Sequence, residues 1–100
     1  MANHKFTKAA LTDLNEIWNY TYDNWNESQA DKYYSSLIYT CKSIANNPDL
    51  SKKYTIISPK LYGLKSNRHI IFYRKMSNNY IEITRILHEN MDIKSRLSEI

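Results

Sequence analysis

The sequence is poor in the residues that bend or crosslink a chain: its 100 residues contain one glycine, two prolines and one cysteine. A single cysteine excludes an internal disulfide and a multi-cysteine metal site, and such sparse usage is typical of a reducing cytoplasm. One glycine also excludes the glycine-rich loops that bind nucleotide phosphates. We therefore predict a fold held by packing alone, without a cofactor or a metal ion.

Long apolar stretches are missing as well. Hydrophobic residues make up 42% of the chain, but no run approaches the roughly 18 residues that a membrane span requires. The start of the chain shows no charged-then-apolar signal segment. We expect a cytoplasmic protein without membrane contact, forming a single domain over residues 1–100 because this length is usual for one domain.

Positive charge and tyrosine are what the sequence does contain. Fourteen Lys and Arg against ten Asp and Glu give a net charge of +4, which favours an acidic partner through long-range attraction. The nine tyrosines and two tryptophans suit a protein interface, since these side chains are apolar at one end and hydrogen-bond at the other. A tyrosine-rich core explains them equally well.

The first half of the chain predicts two helices. Asn3–Phe6 is expected to form a short strand, and Thr7 caps a helix that runs to about Trp25. Three- and four-residue spacing places one apolar stripe on this helix, made of Leu11, Leu14, Ile17, Trp18, Tyr22 and Trp25. The polar residues Asp13, Glu16, Asn19 and Asp23 are predicted to face away from that stripe.

A tight hairpin is predicted between the two helices. Asn26 is expected to end the first helix in the left-handed conformation, and Ser28 with Asp31 resembles a capping box that opens the second. The second helix should end at residues 46–48, where proline disfavours helix in the preceding residue. Its apolar stripe is Ala30, Tyr33, Tyr34, Leu37, Ile38, Cys41, Ile44 and Ala45. We interpret Cys41 as a buried, inert thiol.

The second half changes to the period of β-strands. After an irregular loop over residues 49–59, three strands rich in Ile, Tyr and Phe are predicted: Leu61–Ser66, Arg68–Met76 and Tyr80–Leu87. Turns fall at Asn67 and at residues 78–79, because asparagine tolerates the positive φ of tight turns.

A two-residue turn at 78–79 would pair Lys75 with Glu82 and Ile71 with Ile86. One face would then carry Ile70, Phe72, Arg74 and Met76 together with Ile81, Ile83, Arg85 and Leu87. Both faces are largely apolar, yet one hairpin covers only one of them. Residues 90–100, with Met91, Ile93 and Leu97, are expected to cover part of the second face. A partner chain is expected to cover the remainder of that face. The fold class is α+β, an N-terminal helical hairpin on a small antiparallel sheet with a short C-terminal helical segment.

One cluster of basic residues could carry chemistry. Arg74 and Arg85 share a predicted face, Lys65 and Arg68 lie at the neighbouring turn, and His88 joins them only if the strand has ended before it. Arginine stabilises phosphate charge and histidine shuttles protons near neutral pH, so the set could cleave a phosphodiester. The alternative is an interface in which the arginines pair with a partner's carboxylates.

Several segments form a pattern in their order and spacing, namely Leu11–Ile17, Trp25 with Gln29–Asp31, Arg68–Arg74, and above all Arg85–His88 followed by Met91–Asp92. Over nearly the whole chain this pattern resembles that of ParE-type toxins of the RelE/ParE superfamily. The chain departs from the family pattern at Ser51 and Asn67, where many relatives have glycine. Asn67 retains access to the left-handed region, so the turn should survive.

The resemblance implies a toxin of a bacterial type II toxin-antitoxin pair, a class associated with plasmid stabilisation. Such a toxin inhibits DNA gyrase by binding its A subunit and is neutralised by a ParD-like antitoxin. It also implies partner-binding roles for Arg74, Arg85, His88, Met91 and Asp92, and no enzyme activity. Topoisomerase IV as the target, and a homodimer or a toxin-antitoxin hetero-oligomer as the assembly, stay open at this point.

Similar proteins of the superfamily instead cut messenger RNA on the ribosome, using basic residues with a C-terminal tyrosine or histidine. In such an endoribonuclease the catalytic residues here would be Arg74, Arg85 and His88. Glu89 stands where some of these nucleases carry a catalytic tyrosine, which favours gyrase inhibition. A free-standing RNA-binding module would rest on charge alone, so direct nucleic-acid binding is not expected.

Overall fold

A computed structural model describes residues 3–50, 52–53, 60–76 and 80–97 of the chain. Within that part the elements follow one another as β1 (Asn3–Phe6), α1 (Lys8–Asn24), α2 (Glu27–Asn46), β2 (Lys52–Lys53), β3 (Leu61–Ser66), β4 (His69–Lys75), β5 (Tyr80–His88) and α3 (Ile93–Leu97). A short 3-10 turn, Pro48–Leu50, follows α2. The prediction of an irregular loop over residues 49–59 is therefore wrong at Lys52–Lys53, which pair with Tyr62 and Gly63.

The five strands form one sheet in the order β1-β5-β4-β3-β2. Strands β2 to β5 are antiparallel to their neighbours, whereas β1 joins β5 in parallel, with Asn3 opposite Tyr80 and Phe6 opposite Ile83. The predicted α+β class, a helical hairpin on a small sheet, is confirmed. The sheet is mixed, not purely antiparallel, because β1 pairs with β5 in parallel. The turn predicted at residues 78–79 and most of the 49–59 loop, Ser51 included, lie outside the described residues.

Side chains that cap both helix starts define the hairpin. The Thr7 hydroxyl accepts the Ala10 N–H at 3.1 Å, as predicted for the cap of α1. The role predicted for Asn26 is wrong: its backbone is extended, and its side chain accepts the Gln29 N–H at 2.8 Å. Asn26 thus begins α2 instead of ending α1, and it takes the capping position that the sequence assigned to Ser28.

The buried stripe of α1 is shifted from the predicted one. Leu14 and Ile17 are buried as expected, but the other buried positions are Ala10, Asp13 and Thr21. The large side chains of Leu11, Tyr22 and Trp25 stay exposed, and Trp18 stacks on Tyr22 at 5.3 Å instead of entering the core. Small residues on the inner face let α1 lie close to the sheet, and the prediction that Asp13 faces away is wrong.

The hairpin covers one face of the sheet. The core on this side contains Leu14, Ile17, Leu37, Cys41 and Ile44 of the helices, packed on Ile71, Tyr73, Ile81, Ile83 and Ile86. The other face buries Leu61, Phe72 and Leu87 under Leu97, with Ile93 and Ile70 packed alongside. The C-terminal segment therefore covers the second face, as predicted, through α3. Met91, at 43% exposure, does not take part in this cover.

A bulge in β5 changes half of the predicted register. Ile71 faces Ile86 as expected and Phe72 faces Arg85, but Tyr73 faces Ile83, so Thr84 is an extra residue. Beyond it Lys75 faces Ile81, not Glu82. Because the bulge reverses the alternation, Ile81 and Ile83 lie on the hairpin face, and the prediction that they share a face with Arg85 and Leu87 is wrong.

Candidate functional site

The second half of β5 has an open edge, which α1 closes with side chains. Strand β1 ends at Phe6, opposite Ile83, and none of the described strands pairs on that side with the residues that follow in β5. The Thr7 hydroxyl donates to the Thr84 carbonyl at 2.8 Å, and the Asp13 carboxylate accepts the Ile86 N–H at 2.9 Å. A buried backbone group without a partner is costly, and this cost explains why polar residues lie on the inner face of α1.

Arg85 is held by the same carboxylate. Its Nε donates to Asp13 Oδ2 at 2.8 Å and its Nη2 to Asp13 Oδ1 at 3.0 Å, which is the two-pronged geometry of a strong arginine–carboxylate pair. The side chains of Arg85 and Asp13 are only 12% and 8% exposed. A third donor, Nη1, reaches the Arg96 carbonyl in α3 at 3.4 Å. Arg85 therefore links α1, β5 and α3, and a partner protein could contact little of it.

Arg74 and His88, which the sequence grouped with Arg85 as a possible catalytic set, lie elsewhere. Arg74 alternates with Ile70 and Phe72 along β4, so it shares the α3 face with Arg85 as predicted. It stands five residues along β4 from His69, the residue paired with His88, which is about 17 Å at roughly 3.3 Å per residue. Strand β5 continues through His88, and alternation turns His88 to the hairpin side. Arg74, Arg85 and His88 do not converge on one site.

His88 instead faces a groove between the hairpin and the ends of β4 and β5. The groove has a volume of about 1150 Å³, and α1, α2, the β3–β4 turn and the residues after β5 line it. Its exposed apolar side chains are Tyr20, Trp25 and Met91, at 67%, 72% and 43% exposure. Lys32, Tyr33, Asn67, Arg68, His69 and His88 line its polar part. This groove is the candidate interaction site.

Two histidine rings meet in the polar part of the groove. His69 and His88 are paired across β4 and β5, and their rings pack edge to face with centroids 5.2 Å apart. His69 Nδ1 lies 2.6 Å from the Tyr33 hydroxyl, whose oxygen also accepts the Arg68 N–H at 3.3 Å. Burial, together with the positive charge that His88 can carry, lowers the pKa of His69 to about 4. His69 is therefore neutral at physiological pH.

The residues after β5 carry the remaining sequence-predicted contacts. Met91 is exposed at the mouth of the groove. Asp92 accepts from the Ser95 N–H and from the Ser95 hydroxyl at 3.3 and 2.8 Å, so it caps α3. Glu89 forms an exposed ion pair with Lys65 at 3.2 Å. Exposed pairs of this kind contribute little stability.

The sequence did not indicate that Tyr33, Asn67 and His69 come together in the groove. Tyr33 was assigned to the apolar stripe of its helix, whereas its hydroxyl reaches His69. His69 showed no pattern because its partners are a residue of α2, 36 positions away, and a histidine on the next strand. Asn67 has φ of 57°, as predicted for the turn, and its amide also donates to Ser36. Only the register of β4 and β5 could have indicated the histidine pair.

A reactive thiol, a metal site and a membrane-spanning helix are the other features that could indicate a function. Cys41 is buried, and burial raises the pKa of its thiol to about 12, as expected for an inert side chain. The described residues include no group of three or more His, Cys, Asp and Glu placed to hold a metal ion. None of the helices among them is long and apolar enough to cross a membrane.

Comparison with known proteins gives the class of this fold. The family model described as "ParE toxin of type II toxin-antitoxin system, parDE" matches residues 4–93. A solved chain from a structure titled "Chromosomal ParDE TA system from P. aeruginosa" superposes with a TM-score of 0.74 at 19% identity, covering 88% of this chain and 96% of the other. The fold is thus that of a type II toxin.

Sequence relatives place the chain more narrowly. It is 32% identical over 96 residues to Toxin ParE1 of Mycobacterium tuberculosis, covering 96% of this chain and 98% of the relative. It is 29% identical to Toxin ParE1 of Caulobacter vibrioides, covering 97% and 99% of the two chains. The chain therefore belongs to the ParE family of toxins of type II toxin-antitoxin systems, as its sequence motifs predicted.

Proposed function

We propose that this toxin inhibits DNA gyrase by binding it in the cytoplasm, without catalysis, and that a ParD-like antitoxin neutralises it. The observation that carries the proposal is the fixed C-terminal segment of a ParE-family chain. The Asp13–Arg85 pair anchors β5, Arg85 bonds the Arg96 carbonyl, and Asp92 caps α3. These contacts hold the chain on both sides of residues 88–92, which lie at or near the surface.

The geometry divides the five proposed contact residues by role. Met91 and Asp92 are exposed and His88 is half-buried beside them, so these three can touch a partner protein. Arg85 acts as a positioning residue, because its guanidinium is occupied by Asp13 and by α3. Arg74 lies at the far end of the opposite face and would contribute only to a partner that extends around the sheet.

An antitoxin partner is supported by family membership and by the surface. The related solved chain belongs to a chromosomal ParDE toxin-antitoxin system of P. aeruginosa. The net charge of +4 favours an acidic partner, and the groove exposes aromatic side chains of the kind that anchor protein interfaces. An antitoxin segment that orders as it binds could cover such a surface.

The direct test is supercoiling by purified bacterial gyrase with and without this chain. We expect inhibition accompanied by cleaved DNA, and we expect the ParD-type antitoxin to relieve it. Met91→Ala should weaken inhibition roughly 10-fold, the effect of losing one well-packed contact. Met76→Ala is the matched control, since Met76 is an exposed methionine at the end of β4. Equal loss in both variants, or no inhibition by the folded protein, would refute the proposal.

Ribosome-dependent cleavage of messenger RNA is the alternative outcome. It required Arg74, Arg85 and His88 in one site, an arrangement that the strand register does not support. A translation extract with a defined messenger RNA distinguishes the two mechanisms. If the toxin cleaves the messenger RNA, His88→Ala abolishes that cleavage and gyrase is unimpaired, the toxin acts by catalysis and not by binding gyrase.

A further inference from the structure

The polar part of the groove contains two histidine rings, and the backbone fixes the tautomer of one of them. The Asn90 backbone N–H can only donate, so His88 Nδ1, 3.1 Å away, accepts that bond through its lone pair. A neutral His88 therefore carries its proton on Nε2. The tautomer is set by the backbone of the turn that follows β5.

The hydrogen bond of His69 is compatible with both of its tautomers. The Tyr33 oxygen lies 2.6 Å from His69 Nδ1 and also accepts the Arg68 N–H, and its two lone pairs let it either donate to Nδ1 or accept from it. In the tautomer in which Tyr33 donates, His69 carries its own proton on Nε2. Among the described residues no fully buried side-chain nitrogen lacks a hydrogen-bond partner, so neither Nε2 atom is sealed from solvent. The groove is the cavity that both rings line.

Two cations stand beside these donors. Lys32 of α2 and Arg68 of the β3–β4 turn line the same groove, and no carboxylate of the described residues pairs with either side chain. The neighbouring acids are already engaged or lie on the opposite wall. Asp13 is bound to Arg85, Glu89 is paired with Lys65, and Glu16 belongs to α1. The two histidine rings and the two cations therefore line one groove, and no ion pair of the described residues joins a carboxylate to any of the four side chains.

Resting on the function proposed above, we propose that this end of the groove is a carboxylate-binding subsite. Its occupant is an Asp or Glu side chain on the toxin-binding segment of the antitoxin, received by the Nε2–H groups of His69 and His88 and by Lys32 and Arg68. Apolar side chains of the same segment contact Tyr20, Trp25 and Met91. Charge-assisted hydrogen bonds of this kind are stronger than neutral ones, so the subsite sets which acidic position of the antitoxin docks there.

A consequence for neutralisation follows from Met91, which belongs both to the groove and to the proposed gyrase contact. A segment seated on the subsite covers Met91, so antitoxin and gyrase exclude each other at this side chain. Neutralisation is then direct competition and requires no change in the toxin fold.

The test measures the dissociation constant of the full-length chain with the purified ParD-type antitoxin encoded beside it. The double variant Lys32→Glu/Arg68→Glu should weaken binding at least roughly 100-fold, because two favourable charges become repulsive. Lys42→Glu is the matched control: Lys42 is an exposed lysine on α2 that lines a different surface depression. It should alter the constant less than about threefold, the range of an uninvolved surface position.

A second measurement isolates the carboxylate. Each Asp or Glu of the antitoxin segment is replaced by its amide, and binding is measured to the wild-type toxin and to Arg68→Gln. Amide replacement at one acidic position should weaken wild-type binding roughly 10-fold but weaken the Arg68→Gln complex clearly less, the signature of coupled partners. A position that couples to Arg68 supports the subsite, and absence of coupling at every acidic position overturns it.

The outcomes separate this inference from the gyrase proposal. Lys32 and Arg68 are outside the proposed gyrase contact, so Lys32→Glu/Arg68→Glu should still inhibit supercoiling while resisting the antitoxin. If that variant binds the antitoxin as tightly as the wild type does, the subsite is wrong whatever happens to gyrase. If antitoxin binding follows the predicted pattern but gyrase is unaffected, the subsite stands and the target is wrong.

Discussion

The two faces of the sheet are covered by very different lengths of chain. Under the hairpin, α1 and α2 contribute 17 and 20 residues, and their buried side chains merge with those of β4 and β5 into one core. The opposite face is covered by the five residues of α3, and its buried cluster is Leu61, Phe72, Leu87 and Leu97. We expect the first face to contribute most of the free energy of unfolding. The second face serves mainly to hold the C-terminal segment in position.

The two faces meet at Arg85. Its backbone belongs to β5, its guanidinium bonds Asp13 on the hairpin side, and it also bonds the Arg96 carbonyl of α3. One ion pair therefore connects the large core to the small one. We expect the hairpin core to fold without α3, and α3 to depend on the hairpin core.

The largest expected effect contrasts one leucine from each core. Leu37→Ala, at a fully buried position under the hairpin, should cost about 4 kcal/mol of unfolding free energy, within the range for buried leucine truncations. Leu97→Ala should cost about 2 kcal/mol or less, because α3 can detach locally before the rest unfolds. Urea unfolding of both variants measures the difference, and equal losses would show that the two faces form one cooperative core.

The connection between the faces is tested at Asp13. Asp13→Leu leaves the Arg85 guanidinium and the Ile86 N–H without their acceptor and should cost about 3 kcal/mol. Arg85→Met added to Asp13→Leu should recover part of this loss, since removing both partners of a buried pair costs less than removing one. A double variant less stable than Asp13→Leu alone would mean that Arg85 stabilises the fold mainly through α3.

Acid should weaken the hairpin face at the groove. The pKa of His69 is lowered to about 4, below the ordinary value of 6.5, so the unfolded chain binds a proton more readily than the folded one. Stability is therefore complete above about pH 6.5 and falls as the pH drops towards about 4. The lowered pKa of His4, caused by burial and by Lys42, acts in the same direction.

Unfolding free energies from pH 7.5 to 4 check this sign for wild type and for His69→Gln. The variant should show a shallower loss because it lacks the titrating ring. An identical pH dependence in both proteins would assign the effect to other groups, such as His4 or the acids beside His69.

The smallest effect concerns the Cys41 thiol, which should be unreactive towards alkylating reagents in the folded state. Cys41 lies in the hairpin core, and with its pKa raised to about 12 it remains protonated at neutral pH. Alkylation should therefore proceed only when the hairpin face opens and should slow as stability increases. Rapid labelling under native conditions would mean that this face opens as easily as the α3 face.

Local patterns in the sequence indicated most of the fold. The Thr7 cap, the end of α2 near residue 46 and the pairing of Ile71 with Ile86 follow from local preferences and strand alternation. The bulge at Thr84 could not be predicted, because one inserted residue leaves no mark in an apolar strand. It moved Ile81 and Ile83 to the other face.

The site was less predictable because its determinants are distant in sequence. Helical period placed Asp13 on the solvent side, while the open edge of β5 requires an acceptor there. Arg85 is bound to Asp13 and is therefore not available to the predicted basic cluster. Because β5 continues through His88, this residue pairs with His69 instead. The resemblance pointed to the segment Arg85–Asp92, but only the structure showed which of its side chains are exposed at the surface. The contact roles of His88, Met91 and Asp92 stay predictions.

The most direct measurement of the central claim is a titration of this chain against a fixed concentration of gyrase, with supercoiling as the readout. A toxin that acts by binding should inhibit in proportion to the complex formed, saturate near one chain per gyrase A subunit and release the enzyme when antitoxin is added. Undiminished supercoiling at saturating folded protein, with messenger RNA cut by a small fraction of that amount, would contradict the claim.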